Sequence, residues 1–98
     1  MKIPKRFKLM GQTIAVESDC KVSTLADDNG QAIFDGNRIM LNPPSKDYPQ
    51  EQHEQTCCHE VIHFFFHAIG EKKMRDDEKL VDLMGHMLHQ FLTTQEYK

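Results

Sequence analysis

The sequence has no long apolar run and only three cysteines. No segment approaches the ~18 consecutive apolar residues that a membrane-spanning helix requires, and the basic N-terminus is not followed by the apolar region of a secretory signal. The cysteines are Cys20, Cys57 and Cys58, an odd number with two adjacent members, which is not the pattern of a disulfide framework. We therefore expect reduced thiols, a cytoplasmic protein and no membrane partner.

An excess of positive charge is also missing. Twelve basic residues are outnumbered by 15 acidic ones, which gives a formal net charge of −3. Four cations lie close to the N-terminus, and such a short cluster is typical of a solvated chain end: Lys2, Lys5, Arg6 and Lys8. Because the chain lacks an overall positive field, we predict that it has no nucleic-acid partner.

The length and composition predict one small domain, residues 1–98. The chain has 98 residues, of which 39% are hydrophobic, so a small core is expected. A domain this short buries only about two-thirds of its unfolded surface, and its stability is therefore marginal. A bound metal ion would add to that stability.

The first half of the sequence predicts short strands. Two pairs of short runs, each pair around a turn, predict β-hairpins: residues 7–10 with 13–17, and residues 31–34 with 38–42. Residues 27–30 predict a further turn between the hairpins. We expect three or four short strands, mostly antiparallel.

The second half predicts two helices. Pro43 and Pro44 end the strand region. The first helix runs from Tyr48-Pro49 to about residue 69, followed by Gly70. Its predicted core positions are Cys58, Val61, Ile62, Phe65 and Ile69, so Cys58 is expected to be a buried, inert thiol.

The second helix is expected over residues 76–94. Its apolar positions follow the helical period: Leu80, Val81, Met84, Met87, Leu88, Phe91 and Leu92. The predicted fold class is therefore α+β, with a small, mostly antiparallel sheet followed by an active-site helix and a C-terminal helix.

The first helix contains the sequence His59-Glu60-Val61-Ile62-His63. Two histidines four residues apart lie about 40° apart around a helix and roughly 5–6 Å along it, so both imidazoles can reach one metal ion. Glu60 is better placed to hold a water molecule than to bind the ion. Because isolated polar side chains are costly inside an otherwise apolar helix, the motif predicts a metal site of the zinc hydrolase type.

A third ligand is needed, since catalytic zinc sites usually have three protein ligands. His67 lies roughly 12 Å along the helix from His59, too far for one ion, so it is expected at the rim or in contact with a ligand from behind. The last helix opens with four acidic residues that an antiparallel arrangement brings close: Asp76, Asp77, Glu78 and Asp82. Glu78 has the reach of a ligand, Asp82 is placed to accept a ring N–H from a ligand histidine, and Asp76 and Asp77 are expected to cap the helix.

These residues carry a family resemblance. His59-Glu60-Val61-Ile62-His63 followed by Glu78-Lys79-Leu80-Val81-Asp82 resembles the gluzincin pattern of thermolysin-like metallopeptidases, HExxH then ExxxD. The compact layout resembles the small metallopeptidase-like proteins of phages and mobile elements related to the ImmA/IrrE type. The resemblance covers roughly residues 56–92 and implies a minimal zincin-like fold.

The resemblance also implies a mechanism and a substrate. It implies that His59, His63 and Glu78 bind Zn²⁺, that Glu60 is the general base, and that Asp82 orients a ligand histidine. It implies a peptide or protein substrate, held in extended form beside an edge strand. We expect that edge in the strand before the active-site helix, at Ile39, Met40 and Leu41.

The sequence also departs from the large gluzincins. Only 14 residues separate His63 from Glu78, and we expect no C-terminal subdomain that would supply a residue to stabilise the oxyanion. Four side chains remain open for the role of stabilising the oxyanion: His67, His86, His89 and Tyr97. Two of them, His67 and His89, are alternatively expected at the rim of the site. The sequence favours a zinc-dependent metallopeptidase, and the alternative is a non-catalytic, metal-stabilised module that binds another protein.

Overall fold

Four strands followed by three helices form the part of the chain described by a computed structural model, residues 1–19 and 29–97. The elements are β1 (Arg6–Leu9), β2 (Gln12–Glu17), β3 (Gly30–Ile33), β4 (Arg38–Leu41), α1 (Gln50–Ala68), α2 (Lys72–Arg75) and α3 (Glu78–Thr93). The α+β class is confirmed. Among the described helices, none combines the length and apolar character needed to cross a bilayer.

Both predicted hairpins are present. β1 pairs with β2 in antiparallel fashion through a turn at Met10 and Gly11, whose φ angles are 51° and 80°. Two consecutive positive φ values are typical of the mirror-image turns that match the twist of paired strands. β3 and β4 form the second antiparallel hairpin. The turn predicted at residues 27–30 lies partly outside the described residues.

The order of strands corrects one sequence-based prediction. The sheet runs β1-β2-β4-β3, with β2 and β4 parallel, so β4 is an internal strand. The prediction that Ile39, Met40 and Leu41 form an edge strand is therefore wrong. Ile39 and Leu41 are completely buried, because β4 has a partner on each side and its apolar face packs in the core with Phe64 of α1. Among the described residues, the edges of the sheet are β1 and β3.

α1 lies between the sheet and α3. Cys57 and Phe64 pack against the buried side chains of the strands, while Ile62 and Phe66 pack against Val81 of α3. Because α1 is covered on two faces, its core residues do not follow the single predicted stripe. Phe65 and Ile69, both predicted in the core, are exposed to 37% and 60%.

Cys57 and Cys58 are buried on α1, as the sequence predicted for Cys58. Burial raises the pKa of the Cys57 thiol to about 12 and that of the Cys58 thiol to about 11. Since the thiolate is the form that binds metals and attacks electrophiles, both side chains act as small apolar core residues.

α3 begins at Glu78, where Asp77 caps it by accepting a hydrogen bond from the Leu80 backbone N–H at 3.1 Å. The predicted cap at Asp77 is thus confirmed, and residues 72–75 before it form the separate one-turn helix α2. Leu88 packs against the core between α1 and α3, whereas three other residues toward the C-terminal end of the predicted apolar stripe are exposed: Met87, Phe91 and Leu92.

The closest approach between α1 and α3 lies at Gly85. A Cβ atom on Gly85 would lie 2.9 Å from the Cα and 3.0 Å from the backbone nitrogen of His59. Contacts this short with backbone atoms can be relieved only by moving a helix. Gly85 therefore sets the distance between α3 and the turn of α1 that carries the predicted metal ligands.

We predict that Gly85→Ala destabilises the protein. Alanine favours a helix interior over glycine by about 1 kcal/mol, but overpacking against α1 costs about 1–3 kcal/mol, so a net loss of free energy of unfolding is expected. Urea denaturation measures the change. Gly36→Ala is the control, because its Cβ would meet nothing closer than 3.5 Å. A Gly85→Ala variant as stable as the parent would contradict the close packing.

A buried polar cluster ties α1, α3 and the N-terminus together. Glu54 of α1 accepts hydrogen bonds from His89 Nε2 at 2.9 Å, from the N-terminal amine at 3.2 Å and from Gln50 at 3.3 Å. Burial alone would raise the pKa of Glu54, but these three donors outweigh it and hold that pKa below the ordinary value. The ionised carboxylate therefore stabilises the fold.

We predict that Glu54→Gln costs about 1–3 kcal/mol of free energy of unfolding at pH 7, since it leaves buried donors poorly satisfied. The pKa of Glu54 is lower in the folded state, so its contribution is present above the ordinary carboxyl pKa and is lost as pH falls through the folded value. Urea denaturation of both proteins at pH 7 and in acid should show the difference shrinking. Glu51→Gln, at an exposed site on the same helix, should change little at either pH; a pH-independent loss in Glu54→Gln would argue against the ionised form.

Candidate metal centre

One turn of α1 supplies three potential ligands. The ligand atoms of His59, Glu60 and His63 all lie within 4.8 Å of one another. Glu60 and His63 are buried, with 7% and 9% of their surface exposed, and His59 is half-buried. The four-residue spacing read from the sequence thus brings both imidazoles to the same face of the helix.

Glu78 completes the cluster from the first residue of α3. Its Oε2 lies 3.0 Å from His59 Nε2, and its Oε1 lies 3.1 Å from His63 Nε2. One carboxylate therefore contacts both imidazoles, in each case at the Nε2 atom. The short connection between α1 and α3 and the close packing at Gly85 bring these groups together, as the antiparallel arrangement predicted.

The other ring nitrogens are held by oxygen atoms. His59 Nδ1 lies 3.3 Å from Asp82 Oδ1, and His63 Nδ1 donates to the backbone carbonyl oxygen of Arg75 at 2.7 Å. A carbonyl and a carboxylate can only accept, so a hydrogen on each Nδ1 satisfies these two contacts. Each Nε2 then points its lone pair toward Glu78. Asp82 thus lies where the sequence predicted an orienting carboxylate.

The chemistry of this donor set fits a divalent cation. With a hydrogen on each Nδ1, the atoms that converge at Glu78 all carry lone pairs: two Nε2 atoms and the carboxylate oxygens. A cation held between the Nε2 atoms and Glu78 would satisfy these lone pairs. Two histidines and one carboxylate are ligand types that zinc takes, and three protein ligands leave one position open.

Two cavities flank Glu60. One has a volume of about 440 Å³ and the other about 260 Å³, and both are lined by Gly30, His59 and Glu60. The larger continues along Ala32, Phe34 and Asp76, and the smaller along Tyr48, Asp82 and His86. Because they share these residues, the two cavities are neighbours on either side of Glu60, and we call them together the site groove.

β3 borders the site groove. Within the described residues β3 pairs with β4 alone, so its other side is a sheet edge. At Gly30 the strand lies so close to α1 that an added Cβ would be 3.2 Å from Glu60 Cγ and 2.7 Å from Thr56 Cγ2. β3, rather than β4, is therefore the sheet edge beside the candidate site.

Of the four side chains considered for stabilising the oxyanion, one lines the site groove and three do not. His86 lines the smaller cavity and lies 3.6 Å from Asp82 through its Nε2 atom. His67, His89 and Tyr97 line neither part of the site groove. His89 is buried against Glu54, roughly 16 Å along α3 from Glu78, so its predicted place at the rim is wrong. Tyr97 lies beyond α3 and is 83% exposed.

Sequence reasoning missed two parts of the site. Arg75 acts through its backbone oxygen, which no side-chain pattern reveals, and Phe34 reaches the groove from the turn between β3 and β4. Asp76, expected as a cap, lines the groove and accepts a hydrogen bond from Arg75 Nε at 3.0 Å, which holds the pKa of Asp76 below its ordinary value. Its charge therefore persists beside Glu78.

Comparison with known proteins supports a metallopeptidase-like assignment. No significant match was found among curated proteins or among solved structures. The model of the SprT-like family matches residues 5–91, most of the chain. This confirms the zinc metallopeptidase-like part of the sequence-based resemblance, while the likeness to the ImmA/IrrE type stays a prediction. The chain belongs to the SprT-like family.

Proposed function

We propose that this protein is a zinc-dependent peptidase in which Glu60 is the general base. The observation that carries the proposal is the convergence of His59 Nε2 and His63 Nε2 on the Glu78 carboxylate, at 3.0 and 3.1 Å, beside buried Glu60. In this proposal His59, His63 and Glu78 form a gluzincin-type ligand set, and Asp82 orients His59. The proposal also retains the predicted kinship with compact phage and mobile-element proteins and a cytoplasmic location.

A zinc ion held by these three residues would polarise a substrate carbonyl and lower the pKa of a bound water toward ~7. The chain's own residues perform the remaining tasks. Glu60, at the middle of the site groove, takes the proton from the attacking water and delivers it to the leaving amine. Glu60 is only 7% exposed and its side chain lies beside Gly30.

The substrate in this proposal is a peptide bound in extended form along β3. A strand added at this edge would run past Gly30, where β3 lies so close to α1 that an added Cβ would be 3.2 Å from Glu60 Cγ. Main-chain hydrogen bonds to β3 would then place a peptide carbonyl next to the general base. His86 is the side chain we propose for stabilising the oxyanion, because it lines the same groove.

We predict one zinc ion per chain, lost in His59→Ala. Glu78→Ala should weaken zinc binding more than Asp82→Ala does, because the Glu78 carboxylate binds the ion directly. Removing an orienting carboxylate such as Asp82 typically costs about 10–100-fold in affinity. Competition with a chromophoric chelator measures these affinities. Asp35→Ala, an exposed acid in a turn, is the control and should bind zinc normally. Loss of binding in Asp82→Ala with normal binding in Glu78→Ala would reverse the two roles.

We predict that Glu60→Gln retains zinc and loses cleavage by about 10²–10⁴-fold, the usual contribution of a general base. The assay is hydrolysis of a fluorogenic peptide mixture with a randomised central segment by the zinc-loaded protein. Glu51→Gln, on the same helix but exposed, should cleave at the parent rate.

The same experiment distinguishes the alternative function. Cleavage that survives in Glu60→Gln would remove Glu60 as the base. A parent protein that binds zinc, cleaves no peptide and holds intact peptides instead would support the non-catalytic, metal-stabilised protein-binding module. In that protein the metal would stabilise the fold in the way a structural site does.

A further inference from the structure

The one-turn helix α2 lies on the surface of the protein, next to α1 and α3. None of its four residues, Lys72–Arg75, is buried, and so short a helix is not stable in isolation. Yet the carbonyl oxygen of its last residue accepts the hydrogen bond from His63 Nδ1, the shortest contact made by either proposed histidine ligand. Something must hold this carbonyl in position.

The side chain of Arg75 supplies that anchor. Its guanidinium carbon lies 4.6 Å from the centre of the Phe34 ring, within the range of a cation–π interaction. Its Nη1 donates to His67 Nδ1 at 3.1 Å, since an arginine can only donate. His67 in turn stacks on Phe34, with ring centres 4.5 Å apart and planes inclined by 19°. These three contacts close a triangle of side chains from α2, α1 and the β3–β4 turn.

We infer that Arg75, Phe34 and His67 form a positioning clamp that fixes the orientation of His63 through the Arg75 carbonyl. This inference rests on the proposed metal site and adds to it a second orienting group beside Asp82. The clamp keeps a hydrogen on Nδ1 of His63 and directs Nε2 toward Glu78. His67 is then an anchor for Arg75, and its position one helical turn after His63 along α1 places it there, not at the metal.

The contacts of the clamp also satisfy the Arg75 guanidinium. Arg75 Nε donates to Asp76 Oδ1, so the cation is satisfied by an aromatic ring, an imidazole and a carboxylate. A planar fork suits these three directions, and a lysine ammonium would not reproduce them. The clamp touches no proposed substrate position except through Phe34, which lines the larger cavity.

The test measures zinc affinity of Arg75→Ala, His67→Ala and the matched control Lys73→Ala, which removes an exposed cation from the same helix. We expect the zinc dissociation constant of Arg75→Ala to rise about 10-fold or more and that of His67→Ala to rise at least about threefold, with Lys73→Ala unchanged. Affinities within twofold of the parent for both clamp variants would overturn the inference. His67 is exposed, so His67→Ala provides the answer if Arg75→Ala fails to fold.

A second readout needs no substrate. In the zinc-loaded protein, carbon and nitrogen NMR shifts of the His63 ring report which ring nitrogen binds the metal and which carries the hydrogen. Binding through Nε2 with a hydrogen on Nδ1 should be uniform in the parent and in Lys73→Ala and become mixed in Arg75→Ala. An unchanged pattern in Arg75→Ala would overturn the clamp. A parent protein that binds no zinc would instead overturn the proposed function and the clamp together, whereas a zinc-binding parent without peptidase activity would leave the clamp standing.

Discussion

The contact between α1 and α3 at Gly85 governs the geometry of the candidate site. An α-helix can present two imidazoles on one face by itself, but a third ligand must come from another element at a fixed distance. A glycine at this contact lets α3 approach the backbone of His59 directly, where any side chain would hold it away. Glu78 and Asp82, one turn apart on α3, then reach the two nitrogens of His59.

Features that depend on local periodicity could be predicted from the sequence. The HExxH spacing located the histidines, and the ExxxD spacing placed Glu78 and Asp82 on one face of α3. The hairpins followed from their turn residues, and Asp77 from its position before the helix. In each case the relevant residues are neighbours along the chain, so the geometry of one element decides the result.

Features that depend on how elements pack could not be predicted in this way. The parallel pairing of β2 and β4 places β4 inside the sheet, and nothing in either strand's own pattern encodes that order. Phe65 is as apolar as Phe64, but only the neighbours of α1 decide which of them is buried. The carbonyl of Arg75 belongs to the main chain, which every residue shares. His89 is a residue type often used in catalysis, yet it lies toward the opposite end of α3 from Glu78, beside Glu54.

The helical half and the strand half of the protein have different proposed roles. Every proposed ligand and the proposed base come from residues 50–93, while the strands supply the edge along which a substrate would lie. Phe34 is the exception, since it joins the β3–β4 turn to the anchor of His63. Substitutions in β3 could therefore change which peptides bind without disturbing the residues that hold the ion. The condition is that the aromatic ring of Phe34, directly after β3, is kept.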